Sequence, residues 1–125
     1  VALMILGALL GAGGVALPMA EPMIAASLLV FGLLIAARAQ LPTWEGALLC
    51  GAFALFHGYA HGTEFPAGAQ AMFPYFVGGF AVATALLHTA GIGAGFALKP
   101  RLAWLARLSG VGVALYGAGL LAAAV

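Results

Sequence analysis

Five apolar runs, each closed by proline or a short polar turn, set the plan of the chain: Val1 to Leu17, Met23 to Ala37, Trp44 to about Ala60, Phe73 to Leu98 and Leu102 to Val125. A bilayer core takes about 20 residues of helix, within a range of about 17 to 25, so each run reads as a membrane helix. The second run reaches that length by taking in Glu21 or Arg38 at its edges, Arg38 by laying its stem along the helix and its charge in the headgroups. The breaks fall at Pro18 and Pro22, at Pro42, at Pro66 and Pro74, and at Pro100. Proline cannot continue the hydrogen-bond ladder and restricts the residue before it. Strands are not expected: no alternating ten-residue pattern appears, and an open sheet edge cannot persist in lipid. The expectation is an all-α, polytopic transmembrane helix bundle of about five membrane helices, forming one membrane-embedded domain over residues 1–125.

Composition fixes the solvent. The chain is 66% apolar and 6% charged, against roughly 25% charged residues in soluble domains. Disorder needs low hydrophobicity and is excluded. Four Lys+Arg against three Asp+Glu, a net charge of +1, give no basic stripe for nucleic acid and no acidic tail. The single cysteine, Cys50, excludes an intramolecular disulfide and reads as a small apolar packing residue. The run from Val1 lacks the basic start of a secretory signal, so the chain is taken as mature or trimmed.

Charge also orients the bundle. Arg38 follows the second run, and Lys99, Arg101 and Arg107 gather between the fourth and fifth, which puts these connections on the cytoplasmic side. Glu21 and Glu64 then lie at the external face; Glu45 does not. Small residues four apart, Gly7 with Gly11, Gly58 with Gly62 and Gly91 with Gly95, let helix backbones approach closely. They are read as packing within one bundle and leave homo-oligomers and other membrane subunits open as partners.

The chemistry concentrates in Phe53-Ala-Leu-Phe-His57-Gly-Tyr-Ala-His61-Gly-Thr-Glu64-Phe-Pro66. At about 100° per residue, His57, His61 and Glu64 fall within about 60° of one another on a helix. That stripe suits a divalent transition metal, since imidazole ligates nickel, cobalt, zinc and copper and a carboxylate adds charge. The bland alternative makes the histidines interhelical hydrogen-bonding residues and Glu64 a solvated loop residue. Burying a carboxylate in a span costs on the order of 2.5–3.5 kcal/mol, which argues against chance placement of three polar groups on one stripe. His88, mid-way along the fourth run, is a further ligand or relay, or else hydrogen-bonds Thr84 four residues earlier. Glu21 either starts its helix through a favourable dipole contact or captures the ion beside Glu64. Tyr75, Trp44 and Trp104 read as interface aromatics; Met4, Met19, Met23 and Met72 read as packing, with Met19 and Met23 also placed to touch a soft metal.

Enzyme chemistry fits poorly. A zinc protease needs His-Glu-x-x-His, whereas Gly, Tyr and Ala separate His57 from His61. A di-iron centre needs more ligands than three histidines and two well-placed carboxylates supply. The chain is therefore read as a non-enzyme. Haem stays open: His57 or His61 pairs with His88 in such a reading, although no Cys-x-x-Cys-His is present for covalent attachment.

The segment Phe56-His57-Gly58-Tyr59-Ala60-His61-Gly62-Thr63-Glu64-Phe65-Pro66 resembles the signature of the HupE/UreJ hydrogenase/urease accessory membrane proteins. The likeness continues through Leu17-Pro18 with Glu21, through Ala26 to Gly32 and through Ala83 to Gly91, and so covers essentially the whole chain. It implies a multi-pass permease of a bacterial inner membrane that carries Ni2+ or Co2+, with Zn2+ also admissible, and supplies nickel enzymes such as hydrogenase or urease. The residues expected to contact the metal are His57, His61, Glu64, His88 and Glu21. The family's additional His-Pro and Asp-His signature has no counterpart from Val1 onward, so the chain is expected to be an N-terminally shortened portion of such a protein. The rival expectation is a non-transporting membrane subunit that binds haem or a structural metal within a larger complex.

Overall fold

The structure, a computed structural model, describes residues 1–97 and 102–123. It contains α1 (Ala2–Ala12), α2 (Ala20–Ala37), α3 (Thr43–Thr63), one 3-10 turn (Gln70–Met72), α4 (Phe73–Ala97) and α5 (Ala103–Ala123), and no strand among the described residues. The all-helical, five-helix expectation is met. Lys99, Pro100 and Arg101 lie outside the described residues.

Three segments are long and apolar enough to cross a membrane: Ala20–Ala37, Gln70–Ala97 and Ala103–Ala123. The other two helices differ from the uniform spans expected. At 11 residues, α1 is only about 16 Å long against a hydrocarbon core of about 30 Å. Its apolar run extends to Leu17, but Gly13-Gly14 stops the helix at Ala12: Gly14 turns left-handed at φ 73, and the N–H groups of Gly14 and Val15 cap the carbonyls of Gly11 and Leu10. The third helix has the length, 21 residues, but Glu45, His57 and His61 dilute its apolarity. It runs three residues beyond Ala60, which keeps His61 on the helix and makes Glu64 its C-terminal cap.

A second cap of the same kind closes α2. The N–H groups of Arg38 and Ala39 return to the carbonyls of Ile35 and Leu34, and Arg38 occupies the left-handed position at φ 52. Glycine is the usual residue there. An L side chain in that conformation costs roughly 1–2 kcal/mol.

Two tightly joined helix pairs make up the bundle: α1 lies parallel to α3, and α2 antiparallel to α5. Glycine sets both contacts. A Cβ on Gly58 would run into the Met4 carbonyl, and one on Gly62 into the Ala8 carbonyl. In return, Cβ atoms on Gly7 and Gly11 would lie 2.7 and 2.8 Å from the Tyr59 and Thr63 nitrogens. In the other pair, a Cβ on Gly110 would sit 2.6 Å from the Ala36 nitrogen and 2.7 Å from the Gly32 oxygen. Phe31 of α2 meets Phe53 of α3 edge-on, ring centroids 5.4 Å apart, and joins the pairs. By contrast, α4 stands off: its backbone approaches only α1 and the 3-10 turn closely, and Gly91 and Gly95 meet nothing within 4 Å.

Alternating helix directions gather Glu21 and Glu64 at one end of the bundle, and Arg38, Trp44, Glu45, Trp104 and Arg107 at the other. These are called the acidic and basic ends below. Arg107 lies within α5 rather than between helices, and its Nε donates to the Ala36 carbonyl at 3.0 Å.

Gly110→Ala is expected to lower unfolding stability by about 1–3 kcal/mol, because backbone cannot yield to the added methyl. Gly112→Ala, whose Cβ would meet nothing within 4 Å, is expected to be neutral or slightly stabilising. Thermal unfolding of both variants in detergent checks the contrast; equal losses would refute the backbone-contact account.

Candidate metal site

The repeated His-Gly of Phe56 to Gly62 has a steric explanation. Gly58 and Gly62 lie four residues apart on the face of α3 against α1, where no side chain fits. Each histidine precedes its glycine by one residue, about 100° around the helix, and so points off the α1 contact toward the gap left by α4. The ring of His61 meets Phe80 of α4 edge-on at 5.1 Å between centroids. Because α3 and α4 run antiparallel, this contact fixes their relative depth.

Below it, a cavity of about 470 Å³ opens between the helices, lined among others by Met4, Phe31, Cys50, Phe53, His57 and His88. Within its wall, His57 Nδ1 lies 3.0 Å from the Phe53 carbonyl oxygen and His88 Nδ1 lies 2.7 Å from that of Thr84. A carbonyl only accepts, so each Nδ1 must carry the hydrogen. The neutral ring then leaves Nε2 as a bare lone pair, the form in which imidazole ligates a metal. A backbone carbonyl on the other nitrogen is the usual way to fix ring orientation in such sites.

The remaining predicted ligands lie apart from this cavity. His61 Nδ1 is 4.0 Å from Glu64 Oε2, with the two side chains 50% and 77% exposed, an open pair at the acidic end of α3. Glu21 stands in the first turn of α2, exposed, beside a cavity of about 220 Å³ with Ile24, Ala25 and Leu120. Among the described residues, no three His, Cys, Asp or Glu side chains converge as a ready metal cage. The reason is helical rise: His57 and Glu64 share a face but are seven residues apart, about 10 Å along the axis. What the sequence presents as one cluster is a file of single donors.

Two further residues emerge from the structure. Cys50, expected as packing, is free and exposed, and lines the cavity with both histidines; its spacing of seven from His57 was the available signal. Tyr59, on the opposite face of α3, accepts a hydrogen bond at 3.1 Å from the Leu17 N–H, tying the connection that leads to Glu21 onto α3.

A profile of the HupE / UreJ protein family matches residues 1–120, nearly the whole chain. The chain belongs to the HupE/UreJ family. It is similar to "Protein HupE" of Rhizobium leguminosarum bv. viciae, 43% identical over 116 residues that cover 92% of this chain. The match takes in 60% of that relative, so the chain spans about three fifths of its length. No solved structure matches. With three apolar helices long enough to span, this HupE/UreJ chain is a membrane protein, and the histidines carrying the sequence resemblance are those that border the α3–α4 gap.

The Nδ1 contacts yield a spectroscopic prediction. In ¹⁵N magic-angle-spinning spectra, the neutral rings of His57 and His88 should show protonated Nδ1 and unprotonated Nε2. Resonances of the opposite tautomer at either residue would contradict the assigned hydrogen bonds.

Proposed function

We propose that this HupE/UreJ chain forms the membrane path of a permease for divalent transition-metal ions, Ni2+ or Co2+, that supplies nickel enzymes such as hydrogenase or urease. The observation carrying this reading is the convergence of His57 and His88, from two helices, on one cavity with both Nε2 atoms available. Glu64 and His61 stand at the acidic end, solvent-accessible, where a cation is drawn in by charge before it loses water. The imidazole of His57 lies one turn deeper on the same stripe, and His88 of α4 lines the same cavity. Donors spread at helical intervals favour movement, because conduction needs binding strong enough to admit an ion and weak enough to release it. Glu21, beside a separate small cavity, acts as a peripheral attractor rather than a member of this file. Selection among nickel, cobalt and zinc rests on geometry and ligand type, since intrinsic affinity follows the metal.

A second reading draws on the same observation. Histidines on two helices facing one cavity are also what a haem needs, so the alternative is a non-transporting subunit that holds haem or a structural metal. Visible absorption separates the two: the permease reading expects no Soret band in purified protein, and a Soret band lost in both His57→Ala and His88→Ala would establish the rival.

For transport, uptake of radiolabelled nickel by cells expressing the complete protein should fall at least about tenfold in His57→Ala and in His88→Ala at matched membrane abundance. Undiminished uptake in both variants would refute the path.

A further inference from the structure

We propose that the basic end of α2 binds one anionic phospholipid, its acyl chain lying in the groove beside Phe31, Leu34 and Ile35 and its phosphate on Arg38. The open groove has a volume of about 400 Å³ and is walled by those three side chains, Ala39 and Leu41; Arg38 is the one charged residue among its described lining residues. In a chain whose long helices are apolar enough to span, the medium that fills such a groove is hydrocarbon. The level of the headgroups at this end is marked by Trp44 and Trp104, 64% and 57% exposed, aromatics of the kind that settle at the bilayer interface. Arg38 therefore sits at the mouth of an apolar groove where a phosphate would lie.

Charge decides the class of headgroup. Among the described residues, this end holds Arg38 and Arg107 against Glu45. A zwitterionic headgroup brings its own cation into that excess, whereas an anionic one does not. Arg107 is engaged by the Ala36 carbonyl at 3.0 Å, while the guanidinium of Arg38 makes no hydrogen bond or ion pair among the described residues. Its planar fork matches phosphate oxygens two at a time.

The backbone offers a way to test this. Arg38 fills a left-handed cap, φ 52, where glycine would be less strained. That strain makes Arg38→Gly a clean probe, because the substitution removes the cation without penalising the cap. The groove shares only Phe31 with the described lining of the cavity of His57 and His88, and the proposal does not depend on the transport reading.

The test measures lipid binding to the purified full chain in neutral detergent by native mass spectrometry, and thermal stability alongside, with phosphatidylglycerol, phosphatidylcholine or inorganic phosphate added. Phosphatidylglycerol should bind more tightly and raise the melting temperature more than phosphatidylcholine, and inorganic phosphate should do neither. Arg38→Gly relieves the strained cap, so without lipid it should be at least as stable as the native chain. It should nevertheless bind phosphatidylglycerol about fivefold more weakly, the loss of one cation near a membrane surface. Ile35→Trp, which fills the groove but keeps the charge, should also weaken binding. Equal binding of the two lipids, native affinity in Arg38→Gly, or native affinity in Ile35→Trp would overturn the site. A stabilisation by inorganic phosphate equal to that by phosphatidylglycerol would overturn the lipid assignment.

Discussion

Backbone resting directly on backbone is the contact from which the rest of this molecule follows. Between apolar helices in lipid there is little hydrophobic gain to be had, so association rests on close van der Waals fit. Here glycines on α1, α3, α2 and α5 let carbonyls and amides of neighbouring helices meet without intervening side chains. Because Gly58 and Gly62 must face α1, the rotation of α3 about its axis is settled, and with it the direction of His57 and His61. The chemistry is placed by a steric requirement on the adjacent residues.

The opposite condition holds across the bundle. Since α4 has no such glycine contact with α3, the space between them is wide enough for rings and a cavity. Phe65, Phe73, Phe76 and Phe80 stack from the acidic end toward His61, with successive centroids 5.0 to 6.1 Å apart. Aromatic rings fill the outer part of the gap, and imidazoles border its inner part. The gap therefore passes from a solvated, acidic mouth to an interior whose polar groups are few and spaced.

Much of this was legible in the chain because lipid leaves few choices. Apolar runs between prolines gave five helices, and the Schellman glycines at Gly13-Gly14 could have shortened the first, since a left-handed stop is written as glycine. The stripe of His57, His61 and Glu64 was equally readable, because the helical period alone places them on one face. Their failure to converge was readable only by also counting rise along the axis. That His88 lines the same cavity as His57 and Cys50 was not readable, because it depends on how far α4 stands from α3. Nor did the sequence separate the packing glycines, Gly7 and Gly58 among them, from Gly91 and Gly95, which share their spacing but face open space.

The anchoring of each imidazole to its own helix has a mechanical consequence. His57 is tethered to the Phe53 carbonyl and His88 to that of Thr84, so neither ring depends on the opposite helix for its orientation. Each nitrogen lone pair travels with its helix as part of a rigid rod. The separation of the two Nε2 atoms is therefore a gauge of the spacing and tilt between α3 and α4. Any change in the spacing or tilt of α3 and α4 is thus passed to the two Nε2 atoms without a compensating turn of either ring.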